Sequence, residues 1–109
     1  MTDTVQQQLD KLVHEHDMVL FMKGTPQFPQ CGFSQRVAAT LDHHGIEYTS
    51  VNVLLDMAVR EGIKLYSDWP TIPQLYVKGE FIGGCDIIIE MEESGELAEL
   101  LAPIKAANN

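Results

Sequence analysis

Residues Met18–Met22 read Met-Val-Leu-Phe-Met, an unbroken apolar run that stops at Lys23-Gly24. A run this short is a strand rather than a helix, and with no polar position it must be covered on both faces. A chain with such a strand needs helices above and below it. The flanking pattern supplies them. Val5, Leu9, Leu12 and Val13 fall at helical spacing, so Thr4 to about His16 reads as a first amphipathic helix. Gly24–Gln30 holds Gly24, Pro26 and Pro29 and reads as a loop. Phe33, Val37 and Leu41 then repeat every four residues up to Gly45, which predicts a helix over about Cys31–His44 with Phe33 on its core face.

Tyr48–Val53 alternates around Val51 as a second strand. Leu55, Val59, Ile63 and Tyr66 form the stripe of a third helix ending near Ser67, weakened by Gly62. Trp69-Pro70 and Ile72-Pro73 interrupt the chain. Gln74–Val77 and Glu80–Ile82 flank Lys78-Gly79 as a tight hairpin. Gly83-Gly84 makes a corner, and closing helices follow, broken at Ser94-Gly95. The tail Ala106–Asn109 is expected to fray. A strand–helix–strand unit crosses over right-handed and gives a parallel pair, and the hairpin adds an antiparallel one. The solution is an α/β fold, a mixed four-stranded sheet flanked by helices on both faces. At 109 residues it forms one domain spanning 1–109.

Charge narrows the function. The formal net charge is −9, which repels nucleic acid and anionic membrane surfaces. An apolar run of five residues is far short of the roughly twenty that span a bilayer. The N-terminal stretch carries Lys11 against Asp3, Asp10, Glu15 and Asp17, unlike a secretory or transit signal, so a cytoplasmic location is expected. Between Lys78 and Lys105 there are seven acids and no base. They form either a solvated helix face or a docking face for a basic partner. Lys23, Arg36 and Arg60, in the middle of the chain, leave room for a local positive site. His14, His16, His43 and His44 have no zinc-type spacing and read as solvated surface.

Two cysteines, Cys31 and Cys85, are too few for a disulfide framework. Cys31 opens the second helix, where free backbone N–H groups and the helix dipole favour a thiolate. Lys23 adds positive charge if the loop folds back. Cysteines are commonly inert core residues, but the Pro-rich loop before Cys31 and Gly32 after it keep this thiol uncrowded. Redox proteins of this layout carry Cys-x-x-Cys at the helix start. Here the tetrapeptide is Cys31-Gly32-Phe33-Ser34, so no disulfide can form within it.

That tetrapeptide resembles the signature of the monothiol glutaredoxins. Lys23-Gly24-Thr25-Pro26, Trp69-Pro70-Thr71-Ile72-Pro73-Gln74 and Gly83-Gly84-Cys85-Asp86 are similar to the family's other fixed segments, in the same order. The likeness runs over essentially the whole chain and matches the short single-domain members. It implies a thioredoxin-like fold, glutathione binding and a 2Fe-2S cluster shared by two subunits. It also implies roles for Lys23, Cys31, Arg60, Ile72, Cys85 and Asp86. In that scheme Lys23 and Arg60 take the glycyl carboxylate of glutathione. Asp86 takes the γ-glutamyl amine, and the N–H groups of Cys85 and Asp86 take the γ-glutamyl carboxylate. Ile72, before a Pro73 expected to be cis, pairs with the peptide backbone. Cys85 is a core-lining residue with that backbone role, or alternatively a resolving thiol for Cys31.

A cluster needs four terminal ligands. One Cys31 from each of two chains and two glutathione thiols complete the set, which implies a homodimer when the cluster is bound. The resemblance implies a carrier in iron–sulfur biogenesis, with iron–sulfur recipient proteins and a small BolA-type protein as partners. The alternative is a glutathione-dependent disulfide oxidoreductase acting through Cys31. A third reading is a thioredoxin-like interaction module with no active thiol.

Overall fold

The computed structural model describes residues 4–107. The elements are α1 (Val5–Glu15), β1 (Met18–Met22), α2 (Gly32–His43), β2 (Thr49–Asn52), a 3-10 turn (Val53–Leu55), α3 (Met57–Ser67), β3 (Gln74–Val77), β4 (Glu80–Gly83), α4 (Cys85–Ser94) and α5 (Glu96–Ala107). The sheet order is β2-β1-β3-β4. β1 and β2 are parallel, whereas β1–β3 and β3–β4 are antiparallel. This is the expected mixed sheet, and the fold is the thioredoxin fold. Among the described residues no helix is long and apolar enough to cross a membrane.

The apolar run of β1 is buried at every position. Alternate side chains serve opposite faces. Val19 and Phe21 pack with Leu9 and Val13 of α1, Ile63 of α3, and Tyr76. Met18, Leu20 and Met22 pack with Val37 and Leu41 of α2, Ile88 of α4, and Leu97 and Leu101 of α5. Each such side chain contributes about 2 kcal/mol on burial, and Phe21→Ala costs about 3–5 kcal/mol because a strand packed on both sides cannot collapse onto the cavity.

Local chemistry sets the ends of the elements. Thr4 caps α1 in a reciprocal box: Thr4 Oγ1 accepts from Gln7 N–H at 3.1 Å, and Gln7 Oε1 accepts from Thr4 N–H at 2.8 Å. Lys78 and Gly79 take φ of 51° and 83°, the left-handed pair a two-residue hairpin needs. Gly62 does more than weaken α3. A Cβ there would lie 2.6 Å from Val5 Cγ1, so the glycine lets α1 and α3 approach.

Several expectations are corrected. Leu55 is not on the α3 stripe. It ends the 3-10 turn and is 83% exposed, because Asp56 caps α3 by accepting from Ala58 N–H at 2.9 Å. Phe33 is exposed rather than core, and Ser34 is buried in its place. His44 is not solvated surface. Its side chain is mostly covered and pairs with Glu92 of α4, while His43 is exposed. Ala106 and Ala107 continue α5 rather than fray, and Asn108 and Asn109 lie outside the described residues.

Candidate functional site

At the C-terminal end of β1 the chain turns back on itself. Gln30 N–H donates to Lys23 C=O at 2.9 Å, and Gly24 pairs with Pro29 as a short bridge. Gly24 has φ of 89°, and a Cβ there would sit 2.5 Å from Phe28 C=O, so this fold-back admits only glycine. Gly24 N–H also donates to Asn52 Oδ1 at 2.9 Å, tying the loop to β2. The fold-back brings Cys31 beside Lys23.

Cys31 is the N-cap of α2, with extended backbone and a partly exposed side chain. Burial pulls its pKa up, but other groups outweigh it. The backbone N–H groups of Ser34 and Phe33, the Lys23 ammonium and the Ser34 hydroxyl together hold the thiol below its ordinary value. The sulfur makes no capping hydrogen bond of full geometry, so the N–H groups act on it mainly as dipoles. Ser34 Oγ in turn accepts from Lys23 N–H at 3.1 Å. The residue where a second cysteine would stand is thus a hydroxyl built into the junction of β1 and α2.

A cavity of about 430 Å³ opens at this thiol. Lys23, Cys31, Arg60, Ile72, Cys85 and Asp86 all line it. These are the six residues singled out in the sequence, and they come from five separate stretches of chain. Three of the protein's seven bases lie here (Lys23, Arg60 and Lys64), facing one acid, Asp86. In a chain of net charge −9 this is a local reversal of sign. Arg60 Nε is buried without a hydrogen-bond partner, leaving donor capacity for an incoming carboxylate. Ile72-Pro73 is cis, as expected.

Sequence reasoning missed some of the lining. Lys64, one turn after Arg60 and pairing with Glu61 at 3.8 Å, lines the cavity, whereas Arg36, another of the mid-chain bases, does not. Its i,i+4 spacing from Arg60 was the available signal. Phe33 and Trp69 add apolar wall. Cys85 is buried, and burial raises its thiol pKa. The Arg36 charge lowers it somewhat, while the Asp86 and Cys31 charges raise it further. Both thiols are free. Among the described residues there is no group of three or more His, Cys, Asp or Glu side chains that could hold a metal ion.

A glutaredoxin family model matches residues 18–82. The chain is 53% identical over 98 residues to monothiol glutaredoxin-S11 of Oryza sativa subsp. japonica, which covers 90% of this chain. The chain belongs to the monothiol glutaredoxin family. It spans only 20% of the rice protein's length. Reduced apo GrxS14 of poplar is a solved glutaredoxin structure that superposes with a TM-score of 0.80 at 50% identity, covering 94% of each chain. A buckwheat glutaredoxin solved as a glutathione complex superposes with a TM-score of 0.80 at 25% identity, covering 91% of this chain and 88% of that one.

Proposed function

We propose that this glutaredoxin binds glutathione in the Cys31 cavity and carries a glutathione-ligated 2Fe-2S cluster between two copies of the chain, passing it to iron–sulfur proteins. The observation that supports this most is the convergence of a low-pKa thiol, Lys23, Arg60, Ile72, Cys85 and Asp86 on one cavity. Glutathione has two carboxylates and one ammonium, and the cavity offers cations and one anion. Lys23 and Arg60 hold the glycyl carboxylate, with Arg60 able to grip it through two parallel N–H bonds. Asp86 holds the γ-glutamyl amine. The N–H groups of Cys85 and Asp86, at the start of α4, hold the γ-glutamyl carboxylate. Ile72 pairs with the peptide backbone.

Ligand counting fits the cargo. One chain supplies one accessible thiolate, so two chains and two glutathiones supply four. Half the ligands are then exchangeable small molecules, which suits release. A small BolA-type protein in place of one subunit belongs to the same proposal, as does a cytoplasmic location for a single-domain chain of 1–109.

A second reading is supported by the depressed Cys31 pKa itself. The Cys31 thiolate attacks the glutathionyl sulfur of a protein–glutathione mixed disulfide and releases the protein thiolate. A second glutathione thiolate then attacks the Cys31–glutathione disulfide, giving glutathione disulfide and restoring Cys31. Anaerobic reconstitution with iron, sulfide and glutathione separates the two. The carrier gives a coloured dimer that bleaches without glutathione or on Cys31→Ser. A colourless monomer that turns over mixed disulfides would overturn it in favour of the enzyme.

A further inference from the structure

Between α3 and β3 the segment Trp69–Pro73 has no regular backbone pairing, yet it forms one wall of the cavity. Two of its five residues are prolines and lack an N–H. Its inward carbonyls must find donors elsewhere or lie unpaired. Gln74, the first residue of β3, supplies them. Among the described residues it is one of two buried polar ones, with no exposed surface, and it does not itself line the cavity. Its Nε2 donates to Trp69 C=O at 3.1 Å and to Thr71 C=O at 3.2 Å. Its Oε1 accepts from the Tyr76 hydroxyl at 3.2 Å.

A primary amide has two N–H donors and one acceptor oxygen. Both donors and the oxygen are engaged here, so turning the amide over would aim its oxygen at two carbonyls. Burial pushes the Tyr76 hydroxyl up to about 12, which keeps it protonated and a donor at neutral pH. The amide is locked from both ends.

We infer that Gln74 is a positioning residue for ligand binding: it holds the Trp69–Thr71 backbone, and with it Ile72, in the shape that receives the peptide of glutathione, without touching the ligand. The inference rests on the proposal that glutathione occupies this cavity. It also separates two properties of the site. The thiol is tuned by α2, Lys23 and Ser34, whereas the binding wall is tuned by Gln74.

The protein's single tryptophan, Trp69, lies on that wall and reports occupancy by fluorescence. The experiment titrates the reduced full chain with reduced glutathione and measures the pH midpoint of Cys31 alkylation in the same samples. Gln74→Met keeps the length and removes the donors, and it binds glutathione about tenfold more weakly, the loss expected when two part-buried carbonyls lose their donors and the wall loosens. Its Cys31 midpoint stays at the wild-type value. Tyr76→Phe frees the amide from one end and weakens binding about threefold. Wild-type affinity in folded Gln74→Met overturns the inference. So does a Cys31 midpoint that shifts along with affinity, because the loosening is then general. If Gln74→Met does not fold, Tyr76→Phe decides, and unchanged affinity there overturns the inference. Absence of saturable binding in the wild type is a different result and removes the glutathione proposal itself.

Discussion

Cys31 and Cys85 both stand at the N-terminal end of a helix, both line the same cavity and both are free thiols. Their acidities nevertheless move in opposite directions. Burial raises both. At Cys31 the N–H groups of Ser34 and Phe33, the Lys23 charge and the Ser34 hydroxyl reverse that effect. At Cys85 burial wins: the Arg36 charge opposes it, and the Asp86 and Cys31 charges reinforce it. The difference begins with one residue of register. Cys31 is the N-cap, the position whose side chain faces the N–H groups two and three residues on, here Phe33 and Ser34. Cys85 follows the cap, Gly84, and sits inside the first turn. A helix N-terminus is therefore insufficient to activate a thiol. The side chain must occupy the cap, and the neighbouring charge must have the right sign.

The largest effect that tests this contrast is on chemistry. On the oxidoreductase reading, Cys31→Ser lowers reduction of a glutathionylated peptide by at least about a thousandfold, since that reading makes the thiolate the nucleophile. Cys85→Ser keeps most of the rate, because its proposed contribution is a backbone N–H that serine retains. Equal losses in the two variants would erase the distinction. Binding comes next. Arg60→Gln and Asp86→Asn each weaken glutathione binding by about tenfold, the order expected for a charge-assisted contact. Asp86→Asn also lowers the Cys85 pKa by removing an anion that raises it, an effect read by site-resolved alkylation. The pH profile of that alkylation sharpens the comparison further. Cys31 stays reactive to lower pH than a free thiol, and Cys85 only becomes reactive at higher pH. Linkage carries matching signs. The depressed Cys31 pKa contributes stability that is present above the unfolded thiol's pKa and lost as pH falls through the folded value. The raised Cys85 pKa contributes stability that is present below the unfolded value and lost as pH rises through the folded one. Denaturant melts across that range, with and without each cysteine, check both.

Much of this was legible in residue order. Met18–Met22 announced a strand covered on both faces because nothing polar interrupts it. The hairpin at Lys78-Gly79 was legible because tight turns demand residues that tolerate positive φ. Five of the six cavity residues were legible through four separated motifs rather than through periodicity, and Arg60 only through the family resemblance those motifs carry. What periodicity hid is instructive. Phe33 keeps the four-residue spacing of Val37 and Leu41, but it lies in the first turn of α2, beyond the packed part of that face. Ser34 is buried instead, because its hydroxyl accepts from the end of β1, and a polar residue is invisible to an apolar count. Leu55 keeps the spacing of the α3 stripe, but Asp56 caps that helix and leaves Leu55 outside it. Gln74 closes the Trp69–Gln74 segment, but nothing in the sequence shows what its amide does. Its partners are two carbonyls and a hydroxyl, and only the folded chain shows which side-chain amide meets them.

The smallest effect on the thiol is also the one that best locates the difference between the cysteines. Ser34 Oγ accepts from Lys23 N–H at 3.1 Å, and Ser34 has no exposed surface. Ser34→Ala leaves that partly buried N–H without its acceptor, which costs about 1–3 kcal/mol and shows as a lower denaturation midpoint. The same change removes one of the groups that lower the Cys31 pKa, so the alkylation midpoint of Cys31 rises. It does not return to the free-thiol value, because the Phe33 and Ser34 N–H groups and the Lys23 charge remain. The Cys85 midpoint holds, since Ser34 is not among the groups acting on it. A stability loss with no movement at Cys31 would make the hydroxyl a strut between β1 and α2 and nothing more. Movement at Cys31 with Cys85 unchanged assigns part of the contrast to the first turn of α2, where the backbone of Lys23 and the sulfur of Cys31 share one buried hydroxyl.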